Sequence, residues 1–249
     1  MSELVIRSDR EGVAWLTFNR PGALNALSPA VFVELRAHLE SVAASPDEIG
    51  CAVLQGAGRS FSAGNDIKAI AAGEVAPTPR FQAETIDLLE SIPQPVIASV
   101  HGHCLTGALE VVLGCDLIVA AESARFADTH GRWAMTPTWG MSQRLPRRVG
   151  IGRAKMMMYT GREVSGAEAV IFGLADMLVT DGERETRTAE LARTICSNSW
   201  HTLRGDKRLV NEGRHYTLAD GLAFERRTSP GRGPDMADRL REFGRKNES

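Results

Sequence analysis

Val96-Ile97-Ala98-Ser99-Val100 runs directly into His101-Gly102-His103-Cys104-Leu105-Thr106-Gly107-Ala108-Leu109-Glu110-Val111-Val112-Leu113-Gly114-Cys115-Asp116, and then into Leu117-Ile118-Val119-Ala120-Ala121. The two outer runs are short and apolar, and each reads as a buried strand. Pro93-Gln94-Pro95 separates the first of them from a preceding helical stripe. Between the two runs, Glu110 lies in an apolar stretch where an unpaired carboxylate is costly to bury, so it needs a cationic partner or a chemical task. If Gly107 opens a helix, its N–H is an unsatisfied donor at the positive end of the helix dipole. Glu110 then stands one turn further along the same face, and a donor and a base address one ligand.

Working outward, the same alternation recurs. Leu4 to Ile6 and Val13 to Phe18 flank a turn at Asp9-Arg10-Glu11-Gly12 and predict a hairpin. Ser28-Pro29 opens a helix whose stripe is Phe32, Leu35, Leu39 and Val42. Cys51 to Leu54 predicts a buried strand, and Phe81, Thr85, Leu88 and Ile92 a second helix. Strands separated by helices in this order imply parallel pairing covered on both faces, hence an α/β fold. Past Arg147 the pattern becomes helical: Arg153 to Tyr159, Ser165 to Phe172 with Ser165 and Glu168 at capping-box spacing, Glu183 to Cys196, and Ala219 to Arg226. In the tail, Met236, Leu240 and Phe243 share one face of a short helix suited to packing on a neighbouring subunit.

Bulk composition narrows the classes. The 249 residues are 43% hydrophobic and 24% charged, which is ordinary for a globular chain with one substantial core. Lys plus Arg number 29 against 31 acidic residues, so the net charge of −2 gives no global reason to expect nucleic acid. The N-terminus lacks the basic and apolar regions of a secretory signal, and no run of 18 apolar residues occurs, so a soluble, cytoplasmic protein without a membrane partner is expected. Cys51, Cys104, Cys115 and Cys196 are widely spaced with no Cys-x-x-Cys pair, and His101 and His103 have no further ligands at metal spacing; neither a disulfide nor a metal is expected. Arg144, Arg147, Arg148 and Arg153 read as a solvated helix face, with a contact to a ligand phosphate or to another subunit as the alternatives.

A second motif is Gly56-Ala57-Gly58-Arg59-Ser60-Phe61-Ser62-Ala63-Gly64-Asn65-Asp66-Ile67-Lys68, a glycine-punctuated loop between a strand and a helix. Gly64 permits a bend that aims successive N–H groups at a ligand oxygen. Neither a phosphate-loop nor a dinucleotide fingerprint is completed here, which excludes the nucleotide-hydrolase reading, and the absence of a Gly-x-Ser-x-Gly elbow disfavours a Ser-dependent peptidase.

These two segments together resemble the paired signatures of the crotonase, or enoyl-CoA hydratase/isomerase, superfamily. The resemblance runs from the first hairpin to about Asp176 and includes Asn19-Arg20-Pro21, Asn25-Ala26-Leu27, and Pro137, Gly140 and Gln143-Arg144-Leu145. It implies a crotonase-like spiral of ββα units with a C-terminal helical layer: residues 1–195 as the α/β core with the acyl-CoA site, 196–249 as a helical trimerisation region, and a homotrimer or homohexamer overall. It further implies that the N–H groups of Asn65 and Gly107 form an oxyanion hole for a thioester. Ala23, Leu24, Ala63, Asp66, Ile67 and Lys68 fall where the family lines the coenzyme A channel, and Gly22 replaces the usual basic or polar residue after Arg-Pro. Coenzyme A enters only as part of the substrate; no separate cofactor is implied. Glu110 matches the first of two hydratase carboxylates, whereas the second position falls at His130. Imidazole can move a proton in either direction near neutral pH, and strand alternation would put Asp128 on the same face to orient it. The leading expectation is hydration of a 2-enoyl-CoA. The alternatives are another enolate reaction, such as isomerisation, hydrolysis or decarboxylation, and an acyl-CoA-binding protein without catalysis. Trp133 and Trp139 are candidates to wall the acyl pocket.

Overall fold

The computed structural model describes residues 3–246. In chain order the elements are β1 (Val5–Arg10), β2 (Val13–Phe18), α1 (Pro29–Ala43), β3 (Cys51–Gly56), α2 (Ile67–Ala71), α3 (Phe81–Ser91), β4 (Val96–Val100), β5 (His103–Leu105), α4 (Gly107–Val112), β6 (Leu117–Ala121), β7 (Arg125–Ala127), α5 (Met141–Val149), α6 (Ile151–Thr160), β8 (Val164–Ser165), α7 (Gly166–Phe172), β9 (Met177–Val179), α8 (Arg184–Cys196), α9 (Trp200–Gly213), α10 (Leu218–Thr228) and α11 (Met236–Lys246). The expected hairpin forms, with a shorter turn than the sequence implies: β1 runs to Arg10, and only Glu11 and Gly12 bend, both at positive φ. Two successive left-handed residues make the kind of turn whose twist matches a tight antiparallel pair.

A six-stranded sheet has the order β1-β2-β3-β4-β6-β9, parallel throughout except for the β1–β2 edge. Period-two alternation sends its side chains into two cores. Leu16, Ala52, Leu54, Ala98 and Ile118 face the larger one with α1, α3 and α4, while Trp15, Cys51, Val53, Ile97 and Val119 pack under α8.

A second, three-stranded sheet joins β5, β7 and β8. Its strands alternate along the chain with those of the large sheet: β4, then β5, then α4; β6, then β7, then α5. Two earlier turns of the chain repeat the pattern in reduced form, because Leu27 bridges Asn65 and Ser62 bridges Cys104 where full second strands would lie. Each turn therefore contributes one strand to the large sheet and one extended segment to the inner layer before a helix carries it back.

Ser28 caps α1 by accepting from the Val31 N–H, and the Ser165/Glu168 capping box forms in both directions. The last third is not wholly helical, contrary to expectation: β8 and β9 lie within it, and β9 closes one edge of the large sheet. The sequence pattern left α9 unassigned. It docks largely through polar contacts, with Lys207 Nζ 2.7 Å from Asp116 and Arg204 donating to the Pro46 carbonyl, while the Trp200 indole lies against Gly12 and Gly50. Met236, Leu240 and Phe243 of α11 are solvent-exposed in the single chain.

Candidate active site

The ends of the inner-layer segments converge on the mouth of α4. Gly64, at φ +91°, lets its loop approach the β5 end so closely that an added Cβ would stand 2.3 Å from the Leu105 carbonyl oxygen and 3.4 Å from Gly107 N. Only glycine tolerates both the dihedral and the contact. A Cβ built on Gly107 would in turn stand 3.4 Å from Asn65 N. The amides of positions 65 and 107 are thus neighbours, and among the described residues neither N–H has a hydrogen-bond acceptor. Thr106, at φ +52° and ψ −107°, is the residue that turns the chain into α4. Such a conformation is costly for a non-glycine residue and persists where surrounding bonds enforce it. Here the Thr106 N–H donates to Ala127 O at 2.7 Å, and its hydroxyl is hydrogen-bonded to that of Thr129 and accepts the Thr129 N–H at 3.0 Å.

Glu110, one turn into α4, is 1% exposed. It makes no bond to an arginine of the helical layer. Oε1 accepts the backbone N–H groups of Trp139 and Met141, both at 3.0 Å, and Oε2 lies 3.7 Å from His130 Nε2. Burial raises the carboxyl pKa above its usual range, and the two amides and His130 only partly oppose this. Glu110 is therefore held in place through one oxygen, with the other directed at the imidazole.

His130 begins a single helical turn after β7. Its Nδ1 is 2.6 Å from Asp128 Oδ1, and the same oxygen accepts the His130 backbone N–H at 3.0 Å. The pairing with Asp128 exists, but its origin differs from strand alternation: β7 ends at Ala127, and Asp128 folds a side-chain-to-backbone turn over the next two residues. Burial alone would lower the imidazole pKa; the bond to Asp128 and the charges of Asp128 and Glu110 outweigh it and raise the value.

The loop after this turn supplies the cover. The Trp139 ring sits over Gly107, where a Cβ would come within 2.5 Å of Cζ3, and meets Phe32 edge-on at 5.0 Å. Trp133 is 56% exposed and does not share that position. Arg144 is no solvated residue, contrary to the sequence reading. It donates to Trp139 O at 2.9 Å and pairs with Asp87 at 2.6 Å and Glu90 at 2.7 Å, clamping the loop to α3. Arg148 pairs with Asp176, and Arg153 stacks on Phe172, so these positions too have structural partners. Arg147 and Arg153 stay exposed, as the sequence reading expects, Arg147 bonding to Gln143.

The six residues expected along a coenzyme A channel flank the Asn65 loop. Leu24 is left-handed at φ 49°, and its carbonyl accepts the Ala63 N–H; Ala23, Ile67 and Lys68 are exposed. Asp66 is different, because its carboxylate is already committed. Oδ1 caps α2 by accepting the Lys68 and Ala69 N–H groups, and Oδ2 pairs with Arg20 at 2.7 Å, an arrangement that lowers its pKa despite partial burial. His101 Nε2 bonds the Gly58 carbonyl, while Nδ1 of both His101 and His103 is buried without a partner among the described residues. Among the described residues no cluster of three potential metal ligands occurs, and no helix is long and apolar enough to cross a membrane.

This architecture, two neighbouring free amides beside a buried acid in a spiral of paired sheets, defines the crotonase class of α/β enzymes. The chain belongs to the enoyl-CoA hydratase/isomerase family, whose family model matches residues 8–230. It is 36% identical over 221 residues to a Bacillus subtilis (strain 168) protein described as an enoyl-CoA hydratase/isomerase, covering 87% of this chain and 85% of that one. A solved enoyl-CoA hydratase from Bacillus anthracis superposes with a TM-score of 0.92 at 33% identity, over 98% of this chain and 97% of that one. A monofunctional enoyl-CoA isomerase from M. smegmatis superposes at 0.77 with 31% identity, over 88% and 98%. The fold is thus shared across both activities, and the choice between them rests on the site.

Proposed function

We propose that this enzyme adds water across the double bond of a 2-enoyl-CoA thioester. The observation that carries the reading is the 3.7 Å approach of Glu110 Oε2 and His130 Nε2 beside the free amides of Asn65 and Gly107. Hydration needs a base to activate water and an acid to protonate the α-carbon, and two groups at this separation can hold one water between them. The thioester oxygen receives both amide N–H groups, and they stabilise the negative charge that develops there as the enolate forms; one such donor is worth roughly 2.7–4 kcal/mol in the transition state. Burial raises the Glu110 pKa, and at His130 the bond to Asp128 outweighs burial and raises the imidazole value, so both groups are favoured to hold a proton at the site. The thioester chain enters past Leu24, Ala63, Ile67 and Lys68, with Ala23 at the rim and Asp66 holding the loop through its cap and Arg20 rather than touching the ligand. We place the enzyme in the cytoplasm as a homotrimer or homohexamer, with residues 196–249 at the subunit contacts.

The test is crotonyl-CoA turnover followed by loss of the enoyl-thioester ultraviolet absorbance, with mass spectrometry of the product. The expected product has gained one water. A shifted double bond, a released acid or a lost carboxyl group in a thioester panel would instead assign one of the single acid–base reactions; binding of every thioester without turnover would make the chain a non-catalytic acyl-CoA binder.

A further inference from the structure

We infer that Asp128 is a positioning residue that fixes the ring tautomer of His130, so that Nε2 is always the nitrogen that exchanges a proton at the substrate. An ionised carboxylate can only accept hydrogen bonds. With Asp128 Oδ1 2.6 Å from Nδ1, the proton of a neutral imidazole resides on Nδ1, and the lone pair faces Glu110 from Nε2. The carboxylate cannot easily release the ring, because it is 2% exposed and the same oxygen is anchored by the His130 backbone N–H. Ring plane and tautomer are set together.

The surroundings leave the choice to these groups. Asp128, at the end of β7, and Glu110, from α4, are the two charges that act on the imidazole. Arg132 of the same turn donates to the Gly161 carbonyl. From α6, packed against that turn, Arg153 donates to the Phe172 carbonyl and Lys155 is exposed. The turn itself is tied through Thr129 to Thr106, the residue before the Gly107 amide. The imidazole and one oxyanion donor therefore belong to a single hydrogen-bonded unit.

This inference rests on the hydration reading only for the statement that His130 moves a proton; the tautomer assignment stands on the geometry alone. It is tested first on the full-length enzyme by nitrogen-15 NMR of the histidine rings above the His130 titration. The expected spectrum shows protonated Nδ1 and unprotonated Nε2, and the reverse pattern overturns the assignment without any variant having to fold. The second arm is Asp128→Asn, whose amide can donate to Nδ1 and so moves the proton to Nε2. Crotonyl-CoA hydration should lose about 10²–10⁴-fold in kcat with little change in KM, as when a triad carboxylate that orients a histidine is neutralised. The His130 titration should also move to lower pH. An unchanged kcat together with an unchanged titration overturns the positioning role. If wild-type enzyme hydrates no enoyl-CoA, the hydration reading fails by itself, and the NMR pattern and titration still decide the role of Asp128.

Discussion

Gly107→Ala tests the convergence of the two amides with the least chemical change. A Cβ at this position would stand 2.5 Å from Trp139 Cζ3 and 3.2 Å from Cε3. Carbon atoms rest at about 3.5–4.0 Å, so the indole must withdraw by roughly an ångström. Its movement is constrained by the fully buried Phe32 ring, which it meets edge-on. Overpacking of this kind costs about 1–3 kcal/mol. At roughly 2–4 °C per kcal/mol for a chain of this size, the melting temperature should fall by about 2–12 °C. The catalytic loss should be larger than the stability loss implies. Withdrawal of Trp139 pulls on the N–H that holds Glu110 Oε1, and the Gly107 N–H is re-aimed at the same time. One misdirected oxyanion donor alone lowers kcat by about 10²–10³-fold. The assay is crotonyl-CoA hydration beside a thermal melt of the same preparation. An alanine variant that turns over at the wild-type rate and melts at the wild-type temperature would refute the close approach and the donor role together.

Three further outcomes are expected. Glu110→Gln keeps an oxygen for the Trp139 and Met141 amides but removes the base, so kcat should fall by about 10²–10⁴-fold. Because burial raises the Glu110 pKa on folding, stability is full below the ordinary carboxylate range and declines as pH rises through the raised value, so the glutamine variant should melt higher than wild type at pH 7 in calorimetry. Arg144→Ala should cost about 2–4 kcal/mol in denaturant unfolding, since Glu90 keeps only Arg214 and the Trp139 loop is released from α3; lysine should restore little of this, lacking the planar fork that spans Asp87, Glu90 and Trp139 O. For His130→Asn, the stability deficit should be greatest below the ordinary imidazole pKa and shrink as pH rises through the raised folded value, because a group whose pKa rises on folding stabilises only while protonated; a deficit that grows with pH in melts from pH 5 to 9 would contradict this.

The elements most legible in the sequence are those whose formation depends on local pattern. Ser28-Pro29, the Ser165/Glu168 box and the apolar runs at 51–54, 96–100 and 117–121 each carry a mechanism that operates within a few residues, and each forms. What escaped depends on contacts across the fold. β5, β7, β8 and β9 are two or three residues long, too short for a periodicity, and exist because neighbouring turns of the spiral supply their partners. The helix α9 lacks a clear apolar stripe, since Lys207, Arg204 and Arg214 fasten it by charge and Gly205 lies against Pro230. Glu110 was legible as an anomaly, a carboxylate in an apolar run. The partner it uses was not: its amide donors come from positions 139 and 141, about thirty residues away, where nothing in the local sequence marks them.

An imidazole at position 130, where the family resemblance implies a second carboxylate, need not disable the proposed hydration. Two carboxylates 3.7 Å apart in a buried pocket could not both ionise, and one would have to stay protonated for a water to be activated beside it. An imidazole whose Nδ1 is bound to Asp128 reaches the same condition differently, because the buried pair can carry one proton in total while Asp128 supplies the compensating negative charge from behind. On this reading the imidazole serves only together with Asp128. Without a carboxylate at 128 the ring is free to present either nitrogen, and the burial that lowers an imidazole pKa is no longer outweighed. On the proposed hydration, Asp128, rather than His130 alone, would then determine whether the site can hold a proton where the double bond needs it.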